Sequence, residues 1–132
     1  MCDPTELLSW VARAEEDLAL ARSALRRKRP LTYGATFHAQ QCAEKYLKAL
    51  LTWRQIEFPK THAIEFLLDL LKQTDAEIAD SLQDAAALTP YGVDVRYPGD
   101  QPEPNLENTR NAVELARRVK ELISNRLMEL QY

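Results

Sequence analysis

The chain has 132 residues, 45% of them hydrophobic and 28% charged, with three glycines, seven prolines, two cysteines and a formal net charge of -3. Those proportions describe one domain, residues 1–132 with a core over about 5–128, large enough to fold without staples, and so few glycines exclude a turn-rich β fold. Apolar runs are short and broken by charge, and the N-terminus lacks the basic-then-apolar layout of a leader, so no membrane span is expected and the protein is placed in the cytoplasm.

The elements read in chain order as helices with short punctuations. Asp3 as N-cap, Pro4 at the first helical position and Glu6 three residues after the cap predict a helix starting near Pro4. Its core stripe is Leu7, Val11, Ala14, Leu18, Ala21 and Leu25, and Pro30 ends it. The run Arg26-Arg27-Lys28-Arg29 then falls in the last turn, where the carbonyl end of the helix favours cations; recruitment of an anion is the other reading of the same run. A second helix is predicted from about Thr32 to Gln55, with Pro59 closing the connection after it. Thr61 is expected to cap a third helix carrying Ile64, Leu67, Leu68 and Leu71, and Thr74 with Glu77 a short fourth through Ile78, Leu82 and Ala86. From Thr89 to Asn105 the chain holds four of its seven prolines and two of its three glycines, which predicts a proline-rich loop over 89–104. A last helix from about Pro104 or Asn105 to Leu130 places Ala112, Val113, Ala116, Val119, Ile123, Leu127 and Leu130 on one stripe, with Arg110, Glu114, Arg117 and Glu121 opposite. The expected fold is all-α, an up-and-down bundle of four or five helices. Trp10 and Trp53 lie at the margins of their stripes and suit either the core edge or a subunit interface.

The second helix carries the most information. Phe37, Ala43, Leu47, Leu50 and Leu51 cluster on one side at helical period, and His38, Gln41, Lys45 and Lys48 on the other. An imidazole, an amide and two ammonium groups along one ridge suit an anion such as a nucleotide phosphate; the plain alternative is a solvated helix face. His38 and His62 are the two histidines, and neither has a partner at ligand spacing, so structural zinc and a catalytic metal are not expected. Cys2 and Cys42 are read as unpaired thiols. Glycine-rich phosphate loops and nucleophile elbows are missing. Net negative charge gives no support for broad nucleic-acid binding.

The pattern FHAQQCAEKYLKALL, then Lys60-Thr61-His62 opening a leucine-rich helix, then Tyr91 and Arg96-Tyr97-Pro98 before a last long helix, resembles the HEPN domain of prokaryotes over about residues 5 to 128. Many HEPN domains are metal-independent endoribonucleases, with an arginine four to six residues before a histidine in the last helical segment. This chain departs from that pattern, because no histidine follows His62. What remains resembles the small stand-alone HEPN proteins found beside minimal nucleotidyltransferases. The resemblance implies a homodimer and a separately encoded nucleotidyltransferase partner, in a pairing that includes toxin–antitoxin-like forms.

The leading expectation is a non-catalytic, nucleotide-binding or accessory bundle with no resident cofactor. Lys45, Lys48 and Arg96 would contact phosphates, Tyr97 would stack on a base or ribose, Pro98 would direct the loop, and His38, Gln41 and His62 would supply hydrogen bonds. Two alternatives stay open: an endoribonuclease with a displaced active site built from His38 or His62 with Arg96, and a structural dimer that only masks its partner.

Overall fold

A computed structural model describes residues 3–92 and 103–130. The described residues form five α-helices, α1 (Pro4–Arg26), α2 (Thr32–Trp53), α3 (Ile64–Lys72), α4 (Ala76–Ser81) and α5 (Leu106–Leu130), with a 3-10 helix (Gln83–Tyr91) after α4. This is the all-α helical bundle expected from composition and periodicity.

The start of α1 follows from its first residues. The Asp3 carboxylate accepts from the Thr5 amide at 2.9 Å, and Pro4 occupies a position whose missing amide proton costs nothing. The helix stops at Arg26, so only that residue of the basic run lies in the last turn. Arg27, Lys28 and Arg29 lie past the end as an exposed bend, a correction that follows from Arg27 turning extended at φ -64, ψ 152 ahead of Pro30.

The short connection after Arg29 folds α2 back on α1 as a helical hairpin. α2 is the central element, packed by α1, α5, α3 and the 3-10 helix, which is why Ala39, Cys42, Ala43, Tyr46, Leu47, Ala49, Leu50 and Leu51 are all fully buried. Alanines on α2 let its neighbours approach closely, and leucines fill the volume between them. Phe37, expected in the core, is only half-buried. The expected residues of α5 from Ala112 to Leu127 are buried, Leu130 partly so, and Arg117 on the opposite face bridges Glu114 and Glu121.

Two caps differ from expectation. α3 starts after Ala63, not Thr61; the Thr61 hydroxyl accepts from the Ala63 amide instead, while Thr89 of the 3-10 helix accepts from the Ile64 amide at 3.0 Å. The free end of α3 is thus capped from another element. The cap of α4 is Asp75, which accepts from the Ile78 amide; Thr74 turns back to the Leu71 carbonyl. Thr89 to Tyr91, placed in the proline-rich loop by sequence, belongs to the 3-10 helix, whose spacing tolerates Pro90 near its end. Trp10 and Trp53 both pack partly buried against the core.

Candidate functional site

The polar ridge of α2 is only partly open to solvent: Lys48 is buried, and His38, Gln41 and Lys45 are half-buried. Gln40, Glu44 and Lys48 are buried together with Asp17 of α1 and Thr36. The ridge is a half-buried seam of ion pairs, arranged around two buried carboxylates. Asp17 accepts from His38 Nδ1 at 2.8 Å and from Lys45 Nζ. Glu44 accepts from Lys48 Nζ at 3.0 Å through Oε2, and from His62 Nδ1 at 2.8 Å and Gln40 Nε2 at 3.1 Å through Oε1. Gln40 also donates to the His62 carbonyl at 3.0 Å and accepts from Gln41 at 2.8 Å, so its amide has no rotational freedom left.

The two clusters differ in what they offer to a ligand. Lys45 and Lys48 are already matched with carboxylates, and a buried cation stripped of its partner would cost several kcal/mol, so neither is a free point charge. Lys48 Nζ also stands 5.6 Å from the Trp10 ring and 5.8 Å from the Phe58 ring. His62 is the reachable member, with 69% of its side chain exposed against 4% for Glu44. Since an ionised carboxylate only accepts, His62 Nδ1 carries the proton and Nε2 is the outward ring nitrogen.

The backbone at Gly92 closes on the same cluster. A Cβ there would stand 2.7 to 2.9 Å from the end of the Gln40 side chain, so glycine is what permits the approach. Arg96, Tyr97 and Pro98 lie outside the described residues. His38, Gln41, Lys45, Lys48 and His62 are thus brought to one seam along α2, divided between the Asp17 and Glu44 clusters.

A groove of about 700 Å³ is lined by Asp3, the N-cap of α1, by Glu6 and Trp10 of α1, by Lys48 and Thr52 of α2 and by residues 55–60. Trp10 and Phe58 meet edge-to-face at 6.1 Å on its wall. Gln55 turns the chain out of α2 with φ 58, which in a non-glycine residue costs about 1 kcal/mol; the Ile56 amide reaching back to the Leu51 carbonyl at 2.9 Å marks a closed helix end.

Sequence reasoning missed Asp17, Gln40 and Glu44. Asp17 had a readable signal, a charge set within the apolar stripe of Ala14, Leu18 and Ala21. Glu44 had another, an acid one turn ahead of Lys48 on a helix that is otherwise apolar around it.

The HEPN domain model matches residues 7–127. Comparison with solved structures finds ST0689, an archaeal HEPN homologue, 27% identical, covering 91% of this chain and 96% of that one, with TM-score 0.71. TT1696 from Thermus thermophilus is 28% identical, covering 90% of this chain and 96% of that one, again with TM-score 0.71. No curated protein matches. With a helical bundle of the same arrangement and a family match across nearly all of its length, this chain belongs to the HEPN domain family.

Proposed function

We propose that this HEPN domain is a non-catalytic accessory protein that binds a nucleotide and works with a separately encoded minimal nucleotidyltransferase, an arrangement that extends to toxin–antitoxin-like pairs. The observation that carries the binding half is the exposed His62 imidazole held at Nδ1 by buried Glu44, with Gln40 bonded to the His62 carbonyl and to Glu44. The outward Nε2 edge of that ring is where a phosphate oxygen would meet it. Gly92 packs on Gln40, and in the sequence it stands four residues before Arg96 and five before Tyr97, the residues proposed to meet the phosphate and the base or ribose. Lys45 and His38 serve the rim of the seam, Gln41 orders Gln40, and Lys48 balances Glu44.

The non-catalytic half is supported by the partners of the two histidines. Among the described residues both Nδ1 atoms are engaged by carboxylates, and no arginine stands in an ion pair with either carboxylate. Calorimetry with ATP and with GTP on the purified chain tests the reading. Saturable binding is expected, and either His62→Ala or Arg96→Ala should weaken it by the roughly 1.5–3 kcal/mol of a charged hydrogen bond. A folded wild type that binds neither nucleotide would end the binding reading in favour of partner masking. RNA cleavage abolished by His62→Ala would instead make the protein a nuclease.

A further inference from the structure

The groove beside Trp10 takes no part in the nucleotide site proposed above. Its volume, about 700 Å³, lies in the range of small-molecule sites. Trp10, Ile56, Phe58 and Pro59 give it an apolar lining, and Glu6 and Glu57 add two exposed carboxylates. Neither carboxylate enters an ion pair among the described residues. Lys48 also lines the groove, but Glu44 matches its charge at 3.0 Å. That leaves Lys60 as the cation set against Asp3, Glu6 and Glu57, so the lining is acidic on balance.

The rings already receive a cation. Lys48 Nζ stands 5.6 Å from the centre of the Trp10 ring and 5.8 Å from that of Phe58, within reach of their negative faces. Two polar atoms of lining residues, Trp10 Nε1 and Thr52 Oγ1, are buried without a hydrogen-bond partner among the described residues. Aromatic faces beside carboxylates favour a planar cation over a compact one. A guanidinium is weakly hydrated, stacks on a ring and forks to an acid, whereas an ammonium holds its water more tightly. An anion would meet the carboxylates with Lys60 as its one unmatched counter-charge, and a neutral ring would leave both acids unused.

We infer that the groove is a binding site for an alkylguanidinium, with the cation plane on the Trp10 and Phe58 rings, its N–H edge on Glu6 and Glu57, and its stem along Ile56 and Pro59. Two sources carry that group: a free guanidino compound and an arginine side chain of another protein.

Calorimetry on the full chain with butylguanidine and with N-acetylarginine amide, two monocations, tests this. Saturable binding is expected, and the Glu6→Gln, Glu57→Gln variant should weaken it by about tenfold or more while its helical circular dichroism stays unchanged, because both side chains are exposed. N-acetyllysine amide should bind more weakly than the arginine compound, and N-acetylglutamate should not bind. Tighter binding of butylguanidine assigns the site to a free guanidino compound; equal or tighter binding of N-acetylarginine amide assigns it to an arginine of a protein. A folded wild type that binds neither guanidine, a lysine compound bound as tightly as the arginine one, or undiminished binding by the double variant would each overturn the proposal. No nucleotide enters the measurement, so its failure is separate from failure of the nucleotide reading.

Discussion

Glu15 shows how single side chains settle competing effects. Burial raises its pKa, but hydrogen bonds from Lys120 and Tyr46 and the Lys120 charge outweigh that, and the carboxyl lies below its ordinary value of 4.5. A depressed folded pKa adds stability that is present above 4.5 and is lost as pH falls through the folded value. Glu15→Gln should therefore flatten the fall of stability below that pH, read by urea melts across the acid range; an unchanged slope would show that the carboxylate is not coupled to folding. Tyr46, fully buried, donates to Glu15, and burial followed by that bond pushes its pKa above the ordinary phenol range. The Cys42 thiol is pushed up to about 12, by burial first and then by the Asp17 and Glu15 charges, so it is a packing group and not a nucleophile. At this scale the sequence is a good guide to apolar residues and a poor one to buried charges. Leu18 and Ala21 declare themselves by period, whereas Asp17, one position from Leu18, is understood only once His38 and Lys45 arrive from another helix.

Individual helices were legible where their end signals are local. Asp3-Pro4 starts α1 in the structure as in the sequence, because the cap and its amide are two residues apart. The start of α3 is not local. Its amide is served by Thr89, 25 residues away, and no scan of neighbouring positions finds that. Asp75 plays several parts at once, because it caps α4, takes Arg54 Nη2 at 3.1 Å, and lies 3.0 Å from Arg126 Nε. That last contact is a charge pairing without hydrogen-bond alignment, since Arg126 Nε counts no bonded acceptor. Thus the C-terminal end of α2, the start of α4 and the far part of α5 meet on a single buried carboxylate. Asp75→Ala should cost about 3–5 kcal/mol, the penalty for orphaning a buried partner, measured by denaturant unfolding. A loss near 1 kcal/mol would mean that only the cap is lost.

For the molecule as a whole, α2 is the element on which the rest depends. α1, α3, α5 and the 3-10 helix all pack on it, so the core should come apart in one step. Leu47→Ala, at a fully buried position of α2, should cost about 2–5 kcal/mol with the denaturant slope unchanged; two resolved transitions would refute a single cooperative core. The bundle was readable because helical period and proline breaks are repeated along the chain. The candidate site was half readable. His38, Gln41, Lys45 and Lys48 do share a seam, yet it is half-buried and its lysines are already paired with carboxylates, because what packs on α2 is a property of the fold and not of its own pattern. The connection after α2 is also a matter of handedness. Gln55 holds φ 58 at the bend that leads to Phe58 and His62, so the chain direction there favours the mirror-image form of the amino acid. The natural residue is of the wrong hand for the corner it turns, and a D-glutamine in its place would sit without strain.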